Sequence, residues 1–165
     1  MDIWFDLPSL NNGRHYHSSC TLGNQFIYVF AGISSETKKY FNSIERFDSM
    51  GKGAKRDWAV ITIAVDKFPV RQGGGSIAIN QNEILIFGGF NSDYLQDSYI
   101  FKHSECMLIR QEKDTPIKLF TFQMPTLFDE TTGTVITADW QTKKVMNYNT
   151  GTRAWTIVSD LNQTK

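Results

Sequence analysis

The sequence predicts an all-β chain assembled from repeated four-stranded antiparallel units, and three observations carry that prediction. Phe87-Gly88-Gly89 closes the apolar run Ile84-Leu85-Ile86, and 57 residues earlier Phe30-Ala31-Gly32 closes the run Phe26-Ile27-Tyr28-Val29. The same interval of 57 relates Arg14 to Arg71, Leu22 to Ile79 and Asn24 to Gln81, while Trp4 stands 54 residues before Trp58. Around these markers lie short segments rich in Val, Ile, Tyr, Phe and Trp, punctuated by Gly, Asn and Asp, the composition of strands and tight turns. Several matches in one register establish a repeat, and units of about 40 to 50 residues with a glycine pair and a tryptophan stack side by side to bury a shared core.

In the first unit, His17 to Leu22 leads through a Gly23-Asn24 turn into Phe26 to Phe30, followed by Ser43 to Phe47 and Trp58 to Ile63. The second unit repeats this with Gly75 to Ile79, Glu83 to Phe87, Asp97 to Phe101 and Cys106 to Arg110. The glycine pair sits at a strand end, where crowding and positive φ exclude a side chain. Ala31 at the first position of the earlier pair implies that only the second position strictly requires glycine. Asp48 ends its strand where a carboxylate accepts backbone N–H groups of the following turn. The third unit is degenerate: Gly133 to Trp140 stands where the glycine-pair strand belongs, Lys144 to Trp155 closes the unit, and Phe120-Thr121-Phe122 is expected to supply the preceding strand.

These residues resemble the kelch repeat: an arginine, a small-residue strand, an apolar strand ending in a glycine pair, an aromatic-Asp strand end and a tryptophan. The pieces are Arg14, His17 to Leu22, Ile27 to Gly32, Ser43 to Asp48 and Trp58, then Arg71, Gly75 to Ile79, Ile84 to Gly89 and Asp97 to Phe101, and the resemblance covers roughly residues 4 to 158. The sialidase-type Asp-box fits less well, because Asn149, Gly151 and Trp155 are spaced one residue too widely. The resemblance implies a single partial kelch-type β-propeller domain over 1–165, with 1–10 as the last strand of a preceding blade, 14–64 and 71–113 as units one and two, and 118–160 as the degenerate third. About three blades of the six usual in the family are present, so the expected object is a half-propeller or a fragment. Its open sheet faces need either further blades from a longer chain or a second copy that closes the ring.

Seventeen basic and seventeen acidic residues leave no net charge, which excludes the basic footprint of a nucleic-acid binder. No apolar run is long enough to span a membrane and the N-terminus lacks a signal-peptide pattern, so the expected compartment is the cytoplasm and no membrane partner is expected. Cys20 and Cys106 are expected as buried thiols in different units. His15 and His17 would share one strand face, yet no third ligand stands at metal-binding spacing. Gly73-Gly74-Gly75-Ser76 and the basic 51–56 segment lack the spacing of phosphate loops and precede no helical pattern. No cofactor is expected, and the scattered carboxylates form no recognisable acid-base pair.

Binding remains, and in a repeat scaffold of this kind it belongs to the loops. In kelch proteins that bind peptides, one face collects residues from the arginine position and from the loop after the glycine pair. Carried across, the resemblance implicates Arg14, Arg71, Ser34, Ser35, Asn91 and Tyr94. Tyr40 adds an aromatic anchor of the type that dominates interfaces. Two matched arginines would take a carboxylate or phosphate bidentately, making an acidic or phosphorylated peptide the natural ligand. The alternative role for both is to pair with carbonyls and acids that hold the scaffold together. The expected function is thus a non-catalytic protein-protein interaction module. An enzyme on the same scaffold and a structural, actin-associated role are the competing readings.

Overall fold

Phe26–Phe30 and Glu83–Phe87 form the second strand of their sheets because every other side chain finds a different neighbour to bury against. The computed structural model describes residues 6–51, 57–63, 67–119 and 125–161. Within them lie fourteen strands, β1 to β14, and no helix, so none long and apolar enough to cross a membrane. The first sheet has the order β2 (Ser18–Leu22), β3 (Phe26–Phe30), β5 (Ile44–Asp48) and β6 (Ala59–Ile61). The second runs β7 (Gly75–Ala78), β8 (Glu83–Phe87), β9 (Ser98–Lys102) and β10 (Met107–Arg110). The third runs β11 (Thr126–Asp129), β12 (Thr134–Asp139), β13 (Lys144–Asn149) and β14 (Ala154–Asp160). All three are antiparallel meanders, and a short ribbon pairs β1 (Arg14–His15) with β4 (Ile33–Ser34).

The sheets pack face against face with their first strands adjacent, β7 lying between β2 and β11. Two apolar cores fill the two gaps. Ile84, Ile86, Tyr99 and Phe101 of the second sheet meet Leu22, Tyr28, Phe30 and Ile44 of the first. Leu85, Phe87 and Ile100 point the other way and meet Val135, Met146, Tyr148 and Trp155 of the third. Each buried large apolar side chain contributes about 1.5–3 kcal/mol, so the alternation along β8 binds both neighbours to one strand. Polar contacts cross the same gaps. The hydroxyl of Tyr28 bonds His103 Nδ1, Tyr148 Oη donates to Gln111 Oε1 at 3.1 Å, and Trp155 Nε1 donates to Ser98 Oγ at 3.4 Å.

The two glycine-pair positions behave as their composition implies. Gly32 and Gly89 hold φ of +99° and +105°, and a Cβ there would lie 2.9 Å from the carbonyl oxygens of His15 and Gln72. Ala31 and Gly88 sit at φ of +57° and +65°, a region an L-residue enters at a cost. The second position therefore demands glycine in both units; at the first, the chain accepts Ala31, whereas a Cβ at Gly88 would lie 2.8 Å from Leu119 Cβ.

Several expectations need correction. The strand that precedes and pairs with β12 is Thr126–Asp129; Phe120 to Phe122, expected to supply it, lie outside the described residues, as do 1–5 and 52–56. Of residues 1–10, expected as the last strand of a preceding unit, 1–5 lie outside the described residues and 6–10 are not in a strand. Cys106 is exposed and occupies a turn at φ +47° before β10, while Cys20 is half-buried in β2. Burial pushes the Cys20 thiol up to about 12, which keeps it protonated at neutral pH. Tyr16 at φ +53° interrupts the strand between His15 and His17, so the two imidazoles do not share a regular strand face.

Candidate functional site

Arg14 and Arg71 precede the first strand of their sheets and turn inward. Arg71 is 1 % exposed; its guanidinium donates to both carboxylate oxygens of Asp97, at 2.9 and 2.8 Å, and to the Gly88 carbonyl at 2.9 Å. It lies 4.7 Å from the Phe68 ring centre and 5.1 Å from that of Tyr99, whose hydroxyl donates to Asp97 Oδ2. Arg14 repeats the arrangement with different groups: Nη1 donates to the Ala31 carbonyl at 2.8 Å, Nη2 to Glu45 Oε1 at 2.5 Å and to Ser43 Oγ, with the Phe41 ring 4.5 Å away.

The two ion pairs are equivalent in space but not in register. Ala31 N donates to Ser43 O as Gly88 N donates to Asp97 O, which makes Ser43 the counterpart of Asp97. Where the second sheet has an aspartate, the first has a serine, and the longer Glu45 side chain reaches back from two residues further along β5. Burial alone would raise the Glu45 carboxyl, but N–H donation from Asn11, the Arg14 charge and Asn12 together hold it below the usual range. Burial lowers the Arg14 pKa, with Glu45 acting in the opposite sense. Both guanidinium groups are thus occupied by their own sheet, each tying the glycine-pair turn to the start of the third strand. Unpairing either would leave a buried carboxylate at a cost of about 3–5 kcal/mol.

The remaining expected residues gather in loops at one end of the sheets. Ser34 is buried, paired with Arg14 in the β1–β4 ribbon, and its Oγ accepts the N–H groups of Glu36 and Thr37. Ser35 is exposed and donates its N–H to the Gly13 carbonyl. Tyr40, half-buried, bridges to Ile33, and Phe41 bridges to Arg71. Asn91 is half-buried and accepts from Ser92 Oγ; Tyr94 bridges to Phe90, their rings 5.5 Å apart. Ser34 and Ser35 line a cavity of about 320 Å³ with Asn11 to Gly13, Glu36, Thr37 and Phe41. Asn91 and Tyr94 belong to the neighbouring loop and do not line it.

Backbone hydrogen bonds fix these loops to a common end: Gly32 N donates to Arg71 O, Gly73 N to Tyr16 O, and Gly89 N to Leu119 O. The third sheet contributes the hairpin between β12 and β13, shaped by Asp139, whose Oδ2 accepts from the Thr142 N–H and hydroxyl. That hairpin presents Trp140, 64 % exposed, and the turn before β2 presents Tyr16, 53 % exposed. Tyr16 was not among the expected residues because its counterpart 57 positions on is Gly73, also at positive φ. Lys38, Lys39 and Lys143 add exposed cations at this end. Among the described residues no three His, Cys, Asp or Glu side chains converge to hold a metal ion.

Fold and site together define an all-β chain of blade-like four-stranded sheets. No family model matches the sequence, and no curated protein matches it. Among solved structures the chain is similar to that of YjhT, with a TM-score of 0.71 and 13 % identity over 93 % of this chain and 54 % of that one. At that identity the likeness concerns the fold alone. This chain spans about half the length of that structure.

Proposed function

We propose that these sheets are kelch-type propeller blades, about half of a ring, and that they act in the cytoplasm as a non-catalytic module that binds a protein or peptide through the loops at one end. The observation that carries this reading is that loops 33–43, 90–97 and 139–144, each joining the second strand of its sheet to the third, lie at corresponding strand ends of three successive sheets, where Trp140 and Tyr16 are exposed and Ser34 and Ser35 line a cavity. Exposed aromatic rings flanked by hydroxyl and amide groups suit an extended peptide, whose side chains need apolar anchors and whose backbone needs donors and acceptors. An acidic or phosphorylated segment would meet Lys38, Lys39 and Lys143 rather than the buried arginines.

The test is fluorescence anisotropy against a labelled peptide array in which acidic and phosphorylated sequences are matched by neutral ones. Trp140→Ala is expected to weaken a bound peptide by about tenfold or more, the size of a hot-spot truncation, and Lys38→Ala with Lys39→Ala to remove the preference for the charged members. Peptides that bind wild type and Trp140→Ala equally, or an array with no binder, would sink the proposal.

A further inference from the structure

Asn12-Gly13 is the one place in the chain where an asparagine is followed by glycine. Gly13 is exposed, a Cβ on it would meet nothing within 4 Å, and its φ lies outside the left-handed region, so the backbone there does not require glycine. Among the described residues its N–H has no acceptor, although its carbonyl accepts from Ser35 N at 3.2 Å. The Asn12 side-chain amide is loosely held, Nδ2 standing 3.5 Å from Glu45 Oε1 at the limit of a hydrogen bond, while the Asn12 backbone donates to Glu45 Oε1 and accepts from Arg14 Nε, each at 3.2 Å. Asn11 differs on both counts. Its Nδ2 donates to Glu45 Oε2 at 3.0 Å and to the Trp58 carbonyl at 2.7 Å, and the N–H that follows it is the engaged N–H of Asn12.

We infer that Asn12 is a modification site, at which the folded chain deamidates to aspartate and isoaspartate. The Gly13 nitrogen, giving up its proton to solvent base, attacks the Asn12 side-chain carbonyl carbon. That C–N bond forms as the amide nitrogen leaves as ammonia, and water then opens the resulting cyclic imide at either carbonyl. No electron changes hands, and Gly13 lacks the side chain that would hinder the attack. Position gives the product its effect. The Arg14 and Glu45 side chains are fully buried and pair at 2.5 Å. Aspartate at position 12 sets a second negative charge beside Glu45, and isoaspartate, in which the chain runs through the side-chain carbon, lengthens the backbone between the Glu45 and Arg14 contacts; both weaken the pair. Asn12, Gly13, Ser34 and Ser35 also wall the same cavity of about 320 Å³. The second unit is exempt, since its counterpart dipeptide is Pro69-Val70, with the Pro69 carbonyl accepting from Arg71 Nε at 3.3 Å.

The test holds the purified chain in warm, mildly alkaline buffer, folded and in parallel unfolded in urea, and maps its peptides by mass spectrometry at intervals, with fragmentation placing the site and isoaspartyl methyltransferase labelling the rearranged product. In the folded chain Asn12 is expected to gain the mass difference between a hydroxyl and an amide group ahead of Asn11, Asn80 and Asn91, and to take the methyl label. Gly13→Ala, which the open space at Gly13 accommodates, is expected to slow the reaction until other asparagines overtake it, and to melt with fresh wild type. Asn12→Asp and aged wild type are both expected to melt below it. A folded chain that keeps Asn12 intact, whether or not the unfolded chain reacts, a reaction led by another asparagine, or an Asn12→Asp chain that melts as wild type would each overturn the inference.

Discussion

At the scale of single residues, backbone conformation rather than side-chain chemistry sets the tightest constraints. Gly89 at φ +105° has the Gln72 carbonyl where a Cβ would go, whereas Ala31 at φ +57° already carries one. Gly89→Ala should therefore lower the urea midpoint by the equivalent of about 2 kcal/mol or more, combining strain with the close approach. Ala31→Gly should raise it, by up to about 1 kcal/mol, as the left-handed penalty is relieved against the extra chain entropy of glycine. Equal effects of one sign would show that the two positions are not distinguished by conformation. That Gly32 and Gly89 are required was legible in the sequence, since glycine holds the second position in both repeats while Ala31 replaces it at the first in one; the crowding of Gly88 by Leu119 was not, because it depends on a residue 31 positions further along the chain. The occupation of Arg14 and Arg71 was not, because a guanidinium in a one-dimensional pattern looks the same whether it faces a ligand or a carboxylate from another strand.

At the scale of strands and sheets, alternation made β3 and β8 readable to the residue, while β11 escaped. Only Phe128 of Thr126–Asp129 joins a core and Leu127 is exposed, so the segment lacks the apolar density that marked its counterparts. The gap between the first two sheets holds a titratable contact. His103 packs 4.5 Å from Phe26 and bonds the Tyr28 hydroxyl, with Arg46 nearby; burial and then the Arg46 charge lower its pKa below 6.5. Protonation would take away the Nδ1 lone pair and add a cation beside another. Because the folded state resists protonation, this contribution is complete above pH 6.5 and is lost as pH falls from there through the lowered folded value. His17 is lowered by burial and by Arg14, in the same direction, so the comparison must be made against a variant. Thermal melts across this range should show wild type losing more stability on acidification than His103→Leu; parallel curves would remove His103 from the linkage.

At the scale of the whole molecule, the second sheet is the common member of both cores. Ile84 and Ile86 belong to one gap and Leu85 and Phe87 to the other, so no sheet can leave without exposing apolar surface on β8. A single unfolding transition should follow, coincident by far-UV circular dichroism and by tryptophan fluorescence, and Leu85→Ala should shift both probes together by about 2–5 kcal/mol. Separate transitions, with Trp155 released before the bulk of the strand signal, would mean that the third sheet unfolds by itself.

The migration of the carboxylate from position 97 in one repeat to Glu45 in the other has a consequence for how such chains are recognised. A profile that scores aligned columns sees aspartate opposite Ser43 and counts a loss, and sees Glu45 opposite Tyr99 and counts another. The guanidinium registers neither, since in both sheets it finds a carboxylate at the same place in space. Repeats whose charge balance is kept by compensation across columns drift out of reach of sequence comparison long before their packing changes.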